Sequence, residues 1–289
     1  MLERWARPLR GLGNGVANVI GAFYRVLGTP GRYLQDLLNG TWLGHSLHAV
    51  VVDVVVGAAT AALLLDVLRL VFNVEGLEAA ATWVIGLAGL AGVASVVTGL
   101  TEFKDTAPSS AERDLTITHG LINFIGNGLF MLSVNQRLAG AHDAALWPLL
   151  AGYLLIGVGG YIGGHVVFKY GYAVNHNAFN RGKRAREFTA VLPAADLPDS
   201  VPTKASLGST ALVLVRRGDV VHALRETCSH AGGPLSGGKL VGDGIECPWH
   251  GSVFRLADGQ VRHGPATSRQ VSYRARIADG QVEVEGPHD

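Results

Sequence analysis

The chain has 289 residues, a formal net charge of +1, 48% hydrophobic residues and only 16% charged ones. That length has room for two domains, and the basic residues form no long patch interleaved with aromatics, which excludes a nucleic-acid-binding surface. Composition is uneven: residues 1–170 are dominated by Val, Leu, Ala, Gly and Ile, whereas the remainder reads as a soluble β-rich sequence.

In chain order, residues 1–44 mix apolar side chains with Arg4, Arg7, Arg10, Arg25 and Arg32 and offer neither a continuous apolar core nor a clean cleavage site, a poor signal peptide. Basic and apolar residues on helical spacing suit a segment lying in the membrane interface, with a loosely ordered arm as the alternative. Thr29-Pro30 predicts an N-cap and first-turn proline opening a short helix through about Leu38.

Residues 45–171 contain four long apolar segments: Leu47 to about Phe72, Ala79 to Leu100, Leu115 to Gln136 and Ala144 to Phe168. A soluble bundle would show a polar face on each helix; the second and fourth segments show none. About 20 apolar residues cross a bilayer as a helix, so a four-helix transmembrane domain is expected, with Gly86, Gly89, Gly92, Gly160 and Gly164 allowing close helix approach. Four crossings put both termini on one side, with Arg4, Arg7, Arg10, Arg25, Arg32, Lys104, Arg113, Lys169, Arg181, Lys183, Arg184 and Arg186. Only Arg69 and Arg137 remain for the loops opposite. The positive-inside rule then predicts cytoplasmic termini and a multi-pass protein of the cell membrane, in contact with lipid.

Ionisable residues at membrane depth are functional candidates because their desolvation is costly. His45, His48, His119, His165 and Glu102 all fall toward the side of the termini, and His119, Asn123 and Asn127 share one helix face at spacings of four. With Asp53 and Thr60 they are expected to form a polar pocket. Three readings stand: a b-type haem with axial ligands among His48, His119 and His165; a quinone site using the same histidines with Asp53 or Asn123; or a structural polar network.

Residues 172–187 form a linker rich in Asn and basic residues, and its Asn175-His176-Asn177 reads as a solvated surface stretch rather than a ligand cluster. Residues 188–289 carry strand signals. Ala211–Val215 and Val220–Leu224 flank Arg-Arg-Gly-Asp as a hairpin, and Asp258-Gly259 and Asp279-Gly280 mark further turns. The fold class is α + β, a four-helix transmembrane bundle followed by an all-β domain.

Within the β-rich part, Cys228-Ser-His230 and Cys247-Pro-Trp-His250 lie sixteen residues apart. Thiolates and imidazoles in this pattern suit a Rieske [2Fe–2S] centre or a tetrahedral zinc site. The flanking Ala231-Gly-Gly-Pro-Leu235, Gly251-Ser-Val-Phe254 and Gly264-Pro-Ala266 favour the first, because in this context the chain resembles the Rieske family, whose loops turn backbone N–H groups toward the cluster. The resemblance implies Cys228 and Cys247 on an inner iron and His230 and His250 on an outer iron whose imidazole edges pass electrons. High-potential relatives carry two further cysteines as a disulfide; here Trp249 stands where one would be, and both cysteines present are ligands, which fits a reducing compartment. Ser252 matches a serine that donates to a bridging sulfide, and Phe254 replaces a donating tyrosine. A potential in the low or middle Rieske range follows, and the loops look closer to ferredoxin-type and oxygenase-type domains.

Gly44-His-Ser-Leu-His48, Thr98-Gly-Leu100, His119 and Gly163-Gly-His-Val-Val-Phe-Lys-Tyr-Gly171 resemble a bacterial family of small four-helix membrane domains of unassigned function, some of them fused to Rieske domains. The expected function is a membrane-anchored Rieske protein relaying single electrons between a cytoplasmic redox partner, such as a reductase, oxygenase or respiratory component, and a membrane partner, haem or quinone. Alternatives are a ferredoxin-type component of a separate oxygenase or reductase, and a redox sensor. An oxygenase within the chain would need two histidines and a carboxylate in a large downstream domain; 39 residues after His250 are too few.

Overall fold

A computed structural model describes residues 2–179 and 185–288, which divide between two compact units. Of the basic linker stretch, Arg181, Lys183 and Arg184 lie outside the described residues.

The first unit takes the chain up to Gly31 and then Ser46–Tyr170. It opens with α1 (Leu2–Ala6), a 3₁₀ turn at Arg7–Leu9 and α2 (Arg10–Asn39). Gly28, at φ 59° and ψ −130°, breaks α2 one residue before the expected Thr29-Pro30 start, since a glycine tolerates this backbone without a Cβ clash. Four helices long and apolar enough to cross a membrane follow: α3 (Leu47–Phe72), α4 (Leu77–Phe103), α5 (Ala111–Leu138) and α6 (His142–Tyr170).

These helices outrun the purely apolar segments because polar caps extend them. Ser46 Oγ accepts from Ala49 N at 3.3 Å, and Ser110 Oγ accepts from Arg113 N at 3.0 Å ahead of Glu112 and Asp114 in the first turn of α5. The bundle core sets small residues against large ones: Ala58, Ala59, Ala62 and Ala88 pack with Ile85, Phe130 and Leu149. Gly89 and Gly92 stand at helix contacts as expected, but Gly86 and Gly160 face open space. On α6 the inward glycines are Gly152, Gly159 and Gly163, one residue earlier in the helical frame, so Gly160 and Gly164 fall on another face.

Arg137 does not occupy a loop. Its guanidinium is buried on α5 and grips both carboxylate oxygens of the buried Asp66 on α3, with Nη1–Oδ1 at 3.1 Å. Arg69 is also paired, with Asp143 at 2.7 Å. A pair this dry holds two helices together, because either charge alone would be stranded.

The second unit comprises Arg32–His45 and the chain from Gly171 onward. Its larger sheet runs β1-β10-β9-β4-β3-β2, formed by β1 (Ala185–Pro193), β2 (Thr203–Leu207), β3 (Thr210–Arg217), β4 (Val220–Arg225), β9 (Ser272–Ala278) and β10 (Gln281–His288). The smaller sheet runs β5-β6-β7-β8: β5 (Lys239–Val241), β6 (Gly244–Glu246), β7 (Val253–Arg255) and β8 (Val261–His263). Every strand pair in the two sheets is antiparallel. The expected hairpin is β3–β4, pairing Leu212 with Arg225 through Arg217 with Val220. Asp279 and Gly280 both take positive φ, the type I′ requirement, between β9 and β10. Asp258 and Gly259 lie in the β7–β8 connection. Both faces of β3 and β4 are buried, and alternate residues feed two cores, one of which contains Cys228, Cys247, Phe254 and Ala266.

Candidate functional site

The two cysteine loops close in the same way. Cys228 N donates to Gly233 O at 2.9 Å and Gly232 N donates back to Cys228 O at 3.0 Å; Cys247 N donates to Ser252 O at 2.8 Å and Gly251 N to Cys247 O at 3.1 Å. Each tight loop turns N–H groups inward, those of His230 and Ala231 toward Cys228 and those of Trp249 and His250 toward Cys247. At Gly233 a Cβ would fall 2.9 Å from Trp249 Cγ and 3.0 Å from Cys247 Sγ, so the first loop can close over the second only with glycine there.

The four side chains converge with a polarity. Cys228 and Cys247 are buried at 1% and 3% exposure and share a hydrogen bond. That bond, then burial, pushes the Cys228 thiol up, and the same bond with the loop N–H groups pulls Cys247 down, so Cys247 is the readier of the two to become a thiolate. His230 and His250 are half-buried, with ring centroids 5.0 Å apart and planes at 90°. Two imidazoles on one tetrahedral metal have centroids about 5 Å apart for metal–nitrogen bonds of about 2.0 Å. The residues present therefore fit a cluster whose sulfur-ligated iron is buried and whose nitrogen-ligated iron faces outward.

Several supports escape the sequence pattern. Gln270, fully buried, donates from Nε2 to Arg225 O and Thr227 O, each at 2.6 Å, and accepts at Oε1 from Ser229 N and Asn177 Nδ2, each at 3.0 Å. Asn177, expected on a solvated stretch, is 6% exposed and also donates to Thr227 O at 3.1 Å, while His176 N donates to Ser229 O at 3.0 Å. This part of the linker braces the first loop, because those buried carbonyls and N–H groups need partners. Glu226 accepts from Ser236 N at 2.9 Å and Ser236 Oγ at 2.5 Å. Ser252 Oγ accepts from Ala266 N at 3.0 Å, leaving its own hydrogen to donate elsewhere, and Phe254 packs with no hydroxyl to offer. Asp36 clasps the third loop, accepting from His263 Nδ1 and Gly264 N, each at 2.7 Å. The signal for these residues was weak: isolated polar residues in loops carry no periodicity, and Asp36 is remote in sequence.

In the helical unit the expected polar pocket is only partly assembled. His48 Nδ1 donates to Ser95 O at 2.9 Å, His119 Nδ1 donates to Gly159 O at 2.7 Å, and the rings face each other with centroids 6.2 Å apart. Asn123 Nδ2 lies 3.1 and 3.2 Å from the two ring nitrogens of His119. Asp53 and Thr60 do not join them: both are exposed on α3, Thr60 hydrogen-bonding Val56 O and Tyr153, since the buried face of that helix runs through Val55, Ala58, Ala59 and Ala62. His165 is also apart, 3.6 Å from Glu3 and beside Tyr170. Of the three candidate axial histidines, the fold brings together two.

Comparison with known proteins divides at the same place. The Rieske [2Fe-2S] domain family matches residues 187–274, and the family described as predicted membrane protein (DUF2231) matches residues 44–176. Ferredoxin CarAc of Metapseudomonas resinovorans is 34% identical over 97 residues, covering 33% of this chain and 91% of that protein. The anthranilate 1,2-dioxygenase ferredoxin subunit of Burkholderia cepacia is 34% identical over 98 residues, covering 34% and 82%. Among solved structures, a complex of reduced oxygenase and oxidized ferredoxin in carbazole 1,9a-dioxygenase contains a chain 30% identical, aligned over 36% of this chain and 97% of that one at a TM-score of 0.33.

Proposed function

Because the chain belongs to the Rieske [2Fe–2S] family, with a DUF2231 domain ahead of its Rieske domain, we propose that it is a membrane-anchored carrier of single electrons. A cluster held by Cys228, Cys247, His230 and His250 would supply a one-electron couple. The observation that carries the reading is the polarity of that ligand set, with thiols in the core and imidazoles at the surface. Electrons enter and leave at the imidazole edge, where Trp249, 56% exposed beside His250, widens the contact surface. Donors to sulfur are backbone N–H groups, and no tyrosine hydroxyl joins them at Phe254, which favours a low or middle potential.

The helices α3 to α6 anchor the carrier. Their outer faces expose Leu64, Leu90, Phe124 and Leu154, and Trp83 and Trp147, near the starts of α4 and α6, suit an interfacial aromatic belt. The termini and Rieske domain lie on the cytoplasmic side. The distribution of basic residues supports this, because only Arg69 and Arg137 stand at the opposite ends of the helices. A soluble reductase or oxygenase component is one partner, by analogy with the ferredoxin relatives, and a redox group in the membrane, at the histidine-rich side of the bundle, is the other.

The test is electron exchange in vesicles of known orientation. Protease should remove the Rieske domain only when the cytoplasmic face is accessible, and a ferredoxin reductase added to that face should reduce the centre rapidly. Reduction that no soluble donor or acceptor accelerates, combined with a redox-dependent shift in helix accessibility, would favour the sensor reading instead.

A further inference from the structure

The helical unit is built from two matching hairpins. In the first, His48 on α3 donates through Nδ1 to Ser95 O on α4, and one turn further along, Gly99 lies so close that an added Cβ would sit 2.9 Å from His48 Cε1. In the second, His119 on α5 donates through Nδ1 to Gly159 O on α6, and one turn further along, an added Cβ at Gly163 would sit 2.8 Å from His119 Cε1. The match continues at the far end, for Asp66 stands as many residues beyond His48 as its partner Arg137 stands beyond His119. At about 1.5 Å per residue that places the ion pair roughly 27 Å along the bundle from the histidines. The two hairpins are thus related as a repeat, and the histidines face each other across its axis.

Each element of the pair has the chemistry of a ligand. A backbone carbonyl can only accept, so each Nδ1 carries its hydrogen and each Nε2 keeps its lone pair, the tautomer that metal-binding histidines adopt when a carbonyl orients them. The glycines let each imidazole edge lie against helix backbone. Two imidazoles on opposite sides of one metal have centroids about 6.3 Å apart, taking metal–nitrogen bonds of about 2.0 Å; the observed separation is 6.2 Å, with planes at 80°. By contrast, the 5.0 Å between His230 and His250 corresponds to a bent, tetrahedral arrangement.

A bare ion between the two rings would be left short of ligands, because the side chains hydrogen-bonded to them are Thr98 and Asn123, neither a thiolate, carboxylate nor imidazole. A metal that brings four equatorial ligands of its own needs only two axial imidazoles. We propose that His48 and His119 are the axial ligands of one b-type haem in the membrane domain. Asn123, whose amide lies 3.2 Å from His119 Nε2, gives up that contact when iron takes the lone pair and remains beside the ring as a positioning residue. A haem held there would supply a one-electron couple to match that of the Rieske half. The inference deepens the reading that a membrane redox group partners the cluster, and it names that group.

The experiment uses the full chain in detergent, as purified and after titration with hemin. One equivalent should bind, and dithionite should develop the sharp α-band of a low-spin bis-imidazole haem, confirmed as protohaem by pyridine haemochrome. His48→Ala and His119→Ala should each lose the low-spin signature, with added imidazole restoring it, while His165→Ala keeps it. Rescue by imidazole reports that the helical unit of each variant is folded, and the rhombic electron-spin signal of the Rieske centre, read on the same samples, reports the same of the β unit. Absence of stoichiometric uptake, a low-spin spectrum surviving both substitutions, or its loss in His165→Ala would overturn the assignment. A chain that binds haem but yields no Rieske signal would leave this site standing and refute the carrier; the reverse would leave the carrier and remove the haem.

Discussion

The two halves of this chain build their polar sites by opposite means. In the β unit the proposed ligands come from two loops that each close within a few residues, Cys228 to Gly233 and Cys247 to Ser252, and the donors that surround the sulfurs belong to the same loops. In the helical unit His48 and His119 are held by carbonyls of other helices, and nothing local to either histidine determines what it meets. A site made of loops is written contiguously; a site made of helix faces exists only once the helices have packed.

The strongest way to break that contrast is to remove a loop ligand. Cys247→Ser should abolish the cluster outright, seen as loss of iron, labile sulfide and the reduced-state spin signal, while the absorption of any haem in the helical half stays unchanged. A spectral change in both halves would mean that the sites are not independently built. Next in size is the buried pair between α3 and α5. Asp66→Leu strands Arg137 and should cost about 3–5 kcal/mol, measured as a lower unfolding temperature of the helical half in detergent, with much of the loss recovered in Asp66→Leu/Arg137→Met. If the single substitution is neutral, the pair does not hold the hairpins in register.

Within the β unit, Gln270→Ala should orphan the N–H of Ser229, at about 1–3 kcal/mol for a buried group left unsatisfied, and remove one donor from each of the Arg225 and Thr227 carbonyls. The check is a lower denaturant midpoint with faster cluster loss. The smallest effect is electronic. Phe254→Tyr adds a hydroxyl beside the sulfur core and should raise the potential on the order of tens of millivolts, and Ser252→Ala should lower it, both read by spin-monitored titration. An unchanged potential in Phe254→Tyr would mean that the hydroxyl does not reach a cluster sulfur.

This contrast also explains how much was legible beforehand. The fold class, the β3–β4 hairpin and the proximity of Cys228, His230, Cys247 and His250 follow from local patterns: alternation, turn residues and two short motifs. The facing of His48 and His119 was one of several pairings that helical spacing allowed, and Asp53 was misplaced because spacing alone does not say which face of α3 turns inward. The small inner residues of α3, with alanine at 58, 59 and 62, decide that by allowing the closest packing. Gln270, Asn177 and Asp36 were invisible for a different reason, since each satisfies backbone groups whose positions are set by the tertiary fold.

The proposed function rests on a one-electron centre carried by the buried thiols and outward imidazoles. The most direct measurement is electron-spin resonance of the purified chain during stepwise reduction, with iron and acid-labile sulfide determined on the same sample. Equal iron and sulfide are expected, with a rhombic signal that grows to one spin per chain. Iron without labile sulfide, zinc in its place, or no signal on full reduction would contradict it.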